Sequence, residues 1–153
     1  MPDDAEEPGF DSLGAWLNLA AKAARSLLDA RLAELGTTAA TWFVLVRLER
    51  YGPLIQRELA RKLQIEGPTL VRHLDRMEAA GLVTRSAVPG DRRATLVTLT
   101  PQGREQYRAI RARVEEFDEQ LGAGLTAQQR RVLETALPRL AARARELHPR
   151  HRE

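Results

Sequence analysis

The sequence predicts a mainly α-helical chain with a small β-hairpin, and three observations support this fold class. Apolar residues recur at the spacing of an α-helix through several long stretches. Capping residues, glycines and prolines separate these stretches from one another. Two short β-prone segments flank a turn that contains Pro89 and Gly90. Because 43% of the 153 residues are apolar, the chain has enough material for one hydrophobic core.

The first helix is predicted over residues 11–35, where apolar side chains from Leu13 and Trp16 onward fall near one face. Residues 1–10 contain four acids, two prolines and a glycine, and this composition predicts a mobile leader. The chain before the first helix is therefore not expected to contribute to function.

The next three helices are short and clearly bounded. Thr38 can cap a second helix that runs to about Arg50 and stops at a Tyr-Gly-Pro sequence. A third helix is expected at about 55–63. Pro68 favours the first turn of a fourth helix, which stops at Gly81.

A hairpin is predicted after the fourth helix. Leu82–Ser86 and Ala94–Thr100 are β-prone, and the connecting residues 87–93 predict a long basic tip. Two arginines and an acid lie in this tip.

Two long helices are predicted after the hairpin. Thr100 and Pro101 begin one over about 101–121, and a capping box begins another near Ala127. The last helix has leucines at the a/d spacing of a helix–helix contact, namely Leu133, Leu137, Leu140 and Leu147. Pro138 is expected to kink it, or to end it near Leu137 with a restart. Residues 148–153 predict a loose tail.

Composition excludes several classes of function. The chain contains no cysteine, which rules out disulfides, thiolate zinc sites, iron–sulfur clusters and thiol redox sensing. No apolar run is long enough to span a bilayer, and the acidic N-terminal residues are unlike a signal peptide. We therefore expect a cytoplasmic protein.

The third and fourth helices have the spacing of a helix-turn-helix, and the hairpin after them predicts its winged form. At 100° per residue, one face of the fourth helix presents four polar side chains, Thr69, Arg72, His73 and Arg76. Another stripe is apolar, with Leu70, Leu74 and Met77. Arginine and threonine near a helix N-terminus suit a DNA major groove. The alternative is an ordinary solvated helix face.

The hairpin adds a second basic element. Its tip contains Asp91, Arg92 and Arg93, and Arg85 lies on the preceding strand. A thin basic ribbon can enter a minor groove, where negative potential is concentrated. Asp91 is expected to orient an arginine by a charge-assisted bond. The alternative is a charged, solvated turn.

These motifs resemble the MarR family of bacterial regulators, and most closely its SlyA-like branch. The similar segments are Ile65–Val83 with its Leu-Asp-Arg-Met-Glu-Ala-Ala-Gly-Leu-Val sequence, then Asp91-Arg92-Arg93, then Leu99–Gly103. Weaker similarity covers nearly the whole chain. The resemblance implies that Arg72 contacts bases, that Pro68 and Thr69 contact DNA at the helix start, and that Arg93 is the wing arginine and Asp91 its structural acid.

The resemblance also implies a homodimer with a winged helix-turn-helix at residues 36–100. Its helical dimerisation region comprises 11–35 and 101–147, with Leu13 and Trp16 on the first helix. The expected partners are palindromic double-stranded DNA, a second copy of the chain and a phenolic or aromatic carboxylate effector that relieves repression. No cofactor is expected.

Three positions depart from the family or stay open. Ile55 replaces the usual Ser or Thr cap of the third helix, and Pro138 interrupts a helix that the family keeps continuous. Arg31 and Trp42 match ligand-lining positions in kind, although core packing is the favoured alternative for Trp42.

Two other functions compete with a regulator. An architectural DNA-binding protein would use the same scaffold without an effector. A small enzyme is disfavoured, because His73, His148 and His151 have no nucleophile or carboxylate at a recognisable spacing. Metal sensing is disfavoured for the same lack of convergent ligands.

Overall fold

A computed structural model of the protein describes residues 12–148. The predicted leader and tail residues 149–153, including His151, lie outside the described residues. The elements in chain order are α1 Leu13–Ala33, α2 Ala39–Tyr51, β1 Leu54–Ile55, α3 Gln56–Leu63, α4 Gly67–Ala79, β2 Val83–Val88, β3 Asp91–Leu99, α5 Pro101–Gly122 and α6 Ala127–Leu147. The predicted fold class, mainly α with a small β-hairpin, is confirmed.

Side-chain caps begin the first two helices. The Ser12 hydroxyl accepts a hydrogen bond from the Ala15 N–H, so α1 begins directly after it. Thr38 caps α2 as predicted, by accepting from the Thr41 N–H at 3.2 Å. A second acceptor reaches the same helix start, since Asp29 Oδ1 of α1 accepts from the Ala39 N–H at 2.9 Å. These bonds fix α2 against α1.

Ile55 lies at the N-cap of α3 and forms no side-chain capping hydrogen bond, so the family's usual cap is absent at this position. Instead Ile55 lies with Leu54 in β1, a short strand that pairs antiparallel with β3. Sequence analysis missed this strand. The segment then turns through Gln64 into α4, whose first turn contains Pro68 as predicted. Gly81 follows α4 with φ 72°, a backbone conformation that favours glycine.

The hairpin is longer and its tip is shorter than predicted. β2 extends to Val88 and β3 begins at Asp91, so Pro89 and Gly90 alone make the turn. Gly90 has φ 84°, which allows the strands to reverse in two residues. A register shift between Ala87 and Val88 keeps the pairing up to Val88 and Asp91. The predicted loop over 87–93 is therefore wrong, and Arg92 and Arg93 belong to β3.

The junction between the hairpin and α5 depends on two residues of the predicted Thr-Pro-Gln-Gly motif. Thr100 Oγ1 caps α5 by accepting from the Gly103 N–H at 2.9 Å, and it donates to the Gly81 carbonyl at 2.6 Å. Gly103 lies against the Leu82 carbonyl, where a side chain would have no room. Thus the motif joins the end of α4, the hairpin and α5.

The last helix is continuous through its proline. Thr126 and Gln129 form the predicted capping box, and α6 then runs from Ala127 to Leu147 with Pro138 inside it. Of the two effects expected of Pro138, an end near Leu137 does not occur. The predicted kink at Pro138, where the proline lacks a backbone donor, stays a prediction.

The described residues divide into two compact units, one that ends at Glu115 and one that begins at Glu116. In the first unit α2 packs against α1, α3, α4 and β3. Its core consists of leucines and valines that are almost fully buried, including Leu32, Leu45, Leu59, Leu70 and Val97. The functional division into winged and dimerisation regions stays a prediction. Within residues 12–148, no helix is both long and apolar enough to cross a membrane.

Candidate nucleic-acid interface

The two faces predicted for α4 are separated in the structure. The apolar stripe is buried, with Leu70 and Leu74 at 0% exposure and Met77 at 2%. The polar side chains surround one surface depression, which is lined by Thr69, Arg72, His73, Asp75 and Arg76. Sequence analysis did not include Asp75 in this set. Pro68 is exposed in the first turn of the same helix.

A hydrogen bond organises the middle of this depression. Arg76 Nη2 lies 2.8 Å from His73 Nδ1. Because a guanidinium only donates, Nδ1 accepts and the ring proton lies on Nε2. Burial lowers the pKa of His73, and the positive charges of Arg76, Arg72 and Arg25 lower it further. The free protein therefore holds this histidine neutral at neutral pH.

Asp91 stabilises the tip of the hairpin, but by a different bond from the predicted one. Its Oδ1 accepts from the main-chain N–H of Arg93 at 2.9 Å, whereas an arginine side chain was expected as donor. The bond fixes the backbone at the start of β3. Both Arg92 and Arg93 have exposed side chains there. The hairpin thus presents two positive charges beside a two-residue turn.

Arg85 differs from the other predicted wing residues because two carboxylates of α4 bind its guanidinium. Its Nη2 lies 2.6 Å from Asp75 Oδ1 and 2.8 Å from Glu78 Oε2, and its side chain is only 22% exposed. The Arg85 N–H also donates to Glu78 Oε1 at 3.0 Å. Hydrogen bonds from Arg85 hold the pKa of Glu78 below its usual range. Arg85 therefore joins β2 to α4 and is not presented like Arg93.

A second cavity, here called the basic cavity, lies behind α4 and has a volume of about 290 Å³. Three cations, Arg25, Arg47 and Lys62, and the imidazole of His73 line it from four helices. Apolar side chains complete it, among them Phe43, Val44, Leu63 and Ile65. The Arg25 guanidinium lies 5.3 Å from the centroid of the Phe43 ring. An apolar cavity with several cations suits a small organic anion.

The two residues predicted to contact a ligand do not line the basic cavity. Trp42 is 8% exposed and stacks on Tyr107 of α5, with the ring centroids 5.4 Å apart. Trp42 is thus packed in the core, as the favoured alternative predicted. Arg31 is exposed near the end of α1. Sequence analysis missed the cavity because its residues come from four separate helices.

The predicted dimerisation residues are apolar and largely uncovered in the single chain. Exposed apolar side chains lie on α1 and on α6, namely Leu13, Trp16, Leu133, Leu137 and Leu147. Leu140 is half-buried.

Comparison with known proteins identifies the family. The sequence profile of the MarR family matches residues 37–95. A solved probable transcriptional regulator from Pseudomonas aeruginosa is 34% identical with a TM-score of 0.76, over 85% of this chain and 97% of that one. The chain belongs to the MarR family. Placement of this MarR-family chain in the SlyA-like branch stays a prediction.

Other relatives are similar over different lengths. An HTH-type transcriptional regulator of Bacillus subtilis (strain 168), YdgJ, is 38% identical over 85 residues, which are 56% of this chain. The match spans about half, 52%, of the length of YdgJ.

Two solved structures concern DNA and a ligand. A cysteine-to-serine mutant of MarR from E. coli, complexed with operator DNA, is 29% identical with a TM-score of 0.76, covering 84% of this chain and 92% of that one. Bordetella bronchiseptica BpsR, whose DNA binding is regulated by 6-hydroxynicotinic acid, is 26% identical with a TM-score of 0.78, over 84% and 98%.

Proposed function

We propose that the protein is a sequence-specific DNA-binding transcription regulator, a repressor that binds palindromic sites as a homodimer. The observation that carries the proposal is the arrangement of α4. Its apolar stripe is buried, so Thr69, Arg72, His73 and Arg76 are held on the surface together. A helix presented in this way fits a major groove. The operator-bound MarR structure supports the same use of the fold.

Arg72 is the proposed base-contacting residue, and Pro68 and Thr69 approach the DNA at the start of α4. Arg72 is exposed, and its fork of donors matches the acceptors of guanine. The exposed Arg92 and Arg93 are proposed to contact the backbone or minor groove beside it. We leave Arg85 out of the direct contacts and propose that it positions β2 relative to α4.

The proposed dimer rests on uncovered apolar side chains. The α6 leucines at a/d spacing are 41% exposed at Leu133 and 43% at Leu137. Leu13 and Trp16 of α1 are also exposed, and we propose that a second copy covers these residues. A two-fold dimer binds two half-sites, which explains the expected palindrome.

The basic cavity is the proposed effector site, and the ligand contacts predicted for Arg31 and Trp42 stay a separate prediction. Arg25, Arg47 and Lys62 supply positive charge, and Phe43 supplies an aromatic surface. These groups suit a small aromatic carboxylate. Regulation of BpsR by 6-hydroxynicotinic acid supports an effector of this class. Cysteine oxidation is not available for regulation, because the 153 residues contain no cysteine.

Membership of the MarR family supports a transcription regulator over the enzyme alternative. A regulator differs from an architectural DNA-binding protein in its preference for particular DNA sequences. The test is selection of bound duplexes from a random library by the purified protein. Enrichment of a palindrome is expected, and Arg72→Ala should relax one base pair of each half-site and cost about 1–3 kcal/mol. Arg111→Ala on α5 is the control for loss of one positive charge. Binding without any enriched sequence would favour the architectural alternative, and no binding would refute both.

A further inference from the structure

We propose that His73 is a proton-dependent switch, which holds Arg76 when it is neutral and releases Arg76 to DNA when it is protonated. The inference rests on the proposed function, because it requires α4 to face DNA. It begins from the position of the imidazole, which lines both the surface depression on α4 and the basic cavity behind it. His73 is therefore accessible both from the proposed DNA-facing surface of α4 and from the basic cavity.

The bond to Arg76 exists in one protonation state only. Nδ1 of His73 accepts from Arg76 Nη2 at 2.8 Å, and this requires a lone pair on Nδ1. A proton on Nδ1 removes that lone pair and places a second positive charge beside the guanidinium. Arg76 must then turn away from the imidazole. Both charges are on the face proposed to meet phosphates.

The surroundings keep His73 neutral in the free protein. Charged groups line its two depressions from every element around it: Arg25 of α1, Arg47 of α2, Lys62 of α3, and Arg72, Asp75 and Arg76 of α4. The acid among these groups, Asp75, is already bound to Arg85. Of the cations, Arg25 pairs with a further acid, Asp29, and Lys62 pairs with Glu58. Positive charge is therefore in excess. It lowers the pKa of the imidazole in addition to burial.

DNA reverses this balance, and the sign of the pH dependence follows. Phosphates near the face stabilise the imidazolium, so the pKa of His73 rises on binding and the complex takes up a proton. Affinity for DNA must therefore increase as pH falls through the interval between the free and bound pKa values. For one proton the gain approaches about tenfold per pH unit for each bound subunit.

The test measures binding to a mixed-sequence duplex of about 30 base pairs, long enough for two half-sites, between about pH 5 and 8 at constant salt. His73→Asn is the decisive variant, because its Oδ1 can replace Nδ1 as acceptor but cannot be protonated. Its affinity is expected to lack the proton-linked gain. His73→Arg has a permanent charge and should bind tightly across the range. His148→Asn is the matched control and should keep the wild-type slope. Circular dichroism checks folding at each pH.

Nuclear magnetic resonance of the imidazole gives a second measurement. The pKa of His73 should rise when the duplex is added. Equal pH slopes for the wild-type protein and His73→Asn, or a His73 pKa that does not rise with DNA, would overturn the switch while leaving the proposed function intact. Failure of every protein to bind the duplex, together with no enriched sequence in the library selection, would instead refute the proposed function and the switch with it.

Discussion

The Arg85 guanidinium of β2 lies 2.6 Å from the Asp75 carboxylate of α4, Nη2 to Oδ1. The same nitrogen lies 2.8 Å from Glu78 Oε2, one helical turn further along. One arginine therefore binds two positions on the helix that presents Arg72 and Arg76. The hairpin and the helix can face one DNA duplex together only if their relative orientation is fixed, and these bonds fix it.

Replacing Arg85 should therefore impair DNA binding without removing a DNA contact. We expect Arg85→Ala to lower the melting temperature by about 2–4 °C, the effect of a modest loss in a chain of this length. Affinity for all duplexes should fall as well, with the base preference unchanged. Thermal unfolding and binding measurements on the same samples check both effects.

Arg104→Ala is the control for Arg85, because Arg104 forms a surface ion pair with Glu49 at the longer distance of 3.8 Å. We expect little change in the melting temperature or the DNA affinity of Arg104→Ala. If Arg85→Ala reduced the salt dependence of binding together with the affinity and left the melting temperature unchanged, Arg85 would be a direct DNA contact, as its place in the basic hairpin first predicted.

Features that depend on local periodicity could be predicted from the sequence, whereas features that depend on tertiary packing could not. The two faces of α4 follow from 100° per residue, and the caps at Thr38 and Thr126 follow from local hydrogen bonding. Pairing of Arg85 with Asp75 and Glu78 depends on how β2 packs against α4, which no local pattern contains. β1 has two residues, too few for an alternation. The basic cavity likewise exists only after four helices meet.

The wing arginine should contribute charge more than sequence preference. Arg93→Ala is expected to weaken binding to every sequence and to reduce the log–log dependence on salt by about one for each wing, since one phosphate contact is lost. Titrations at several salt concentrations measure that slope. Arg93→Lys keeps the positive charge and should therefore keep most of the salt dependence. An unchanged slope in Arg93→Ala would remove this residue from the DNA contacts.

The basic cavity should bind an aromatic carboxylate through its arginines. We expect Arg47→Met to weaken binding of hydroxybenzoate or 6-hydroxynicotinate by about tenfold or more, the effect of losing one hydrogen bond to a charged group. Isothermal titration calorimetry measures the affinity. Arg50→Met is the control, because Arg50 lies over the Tyr51 ring on the same helix and does not line the cavity. Equal losses in both variants, or none in either, would place the ligand elsewhere.

The proposed dimer should depend on the a/d leucines of α6. A variant with Leu133→Glu and Leu137→Glu is expected to sediment as a monomer, because burying these carboxylates in an apolar contact is unfavourable. Affinity for a palindromic site should fall by about a hundredfold or more, since each half-site is then bound independently.

Analytical ultracentrifugation and binding measurements check this, with Gln128→Glu and Thr135→Glu together as the control. Both control positions are exposed on α6 outside the leucine row. A dimer that survived the leucine changes would exclude α6 from the interface.

Pro138 should reduce the stability of α6, because it lies inside a helix that continues on both sides of it. Its missing N–H leaves the Glu134 carbonyl without the usual helical donor. Pro138→Ala is expected to stabilise the protein by about 1–3 kcal/mol in chemical unfolding. Pro101→Ala is the matched control, since Pro101 begins α5 where no helical acceptor is available for an N–H and the change should be nearly neutral. If Pro138→Ala instead weakened the proposed dimer, the proline would shape the interface between the subunits. A helix without proline, which is usual in the family, would then not form this interface as well.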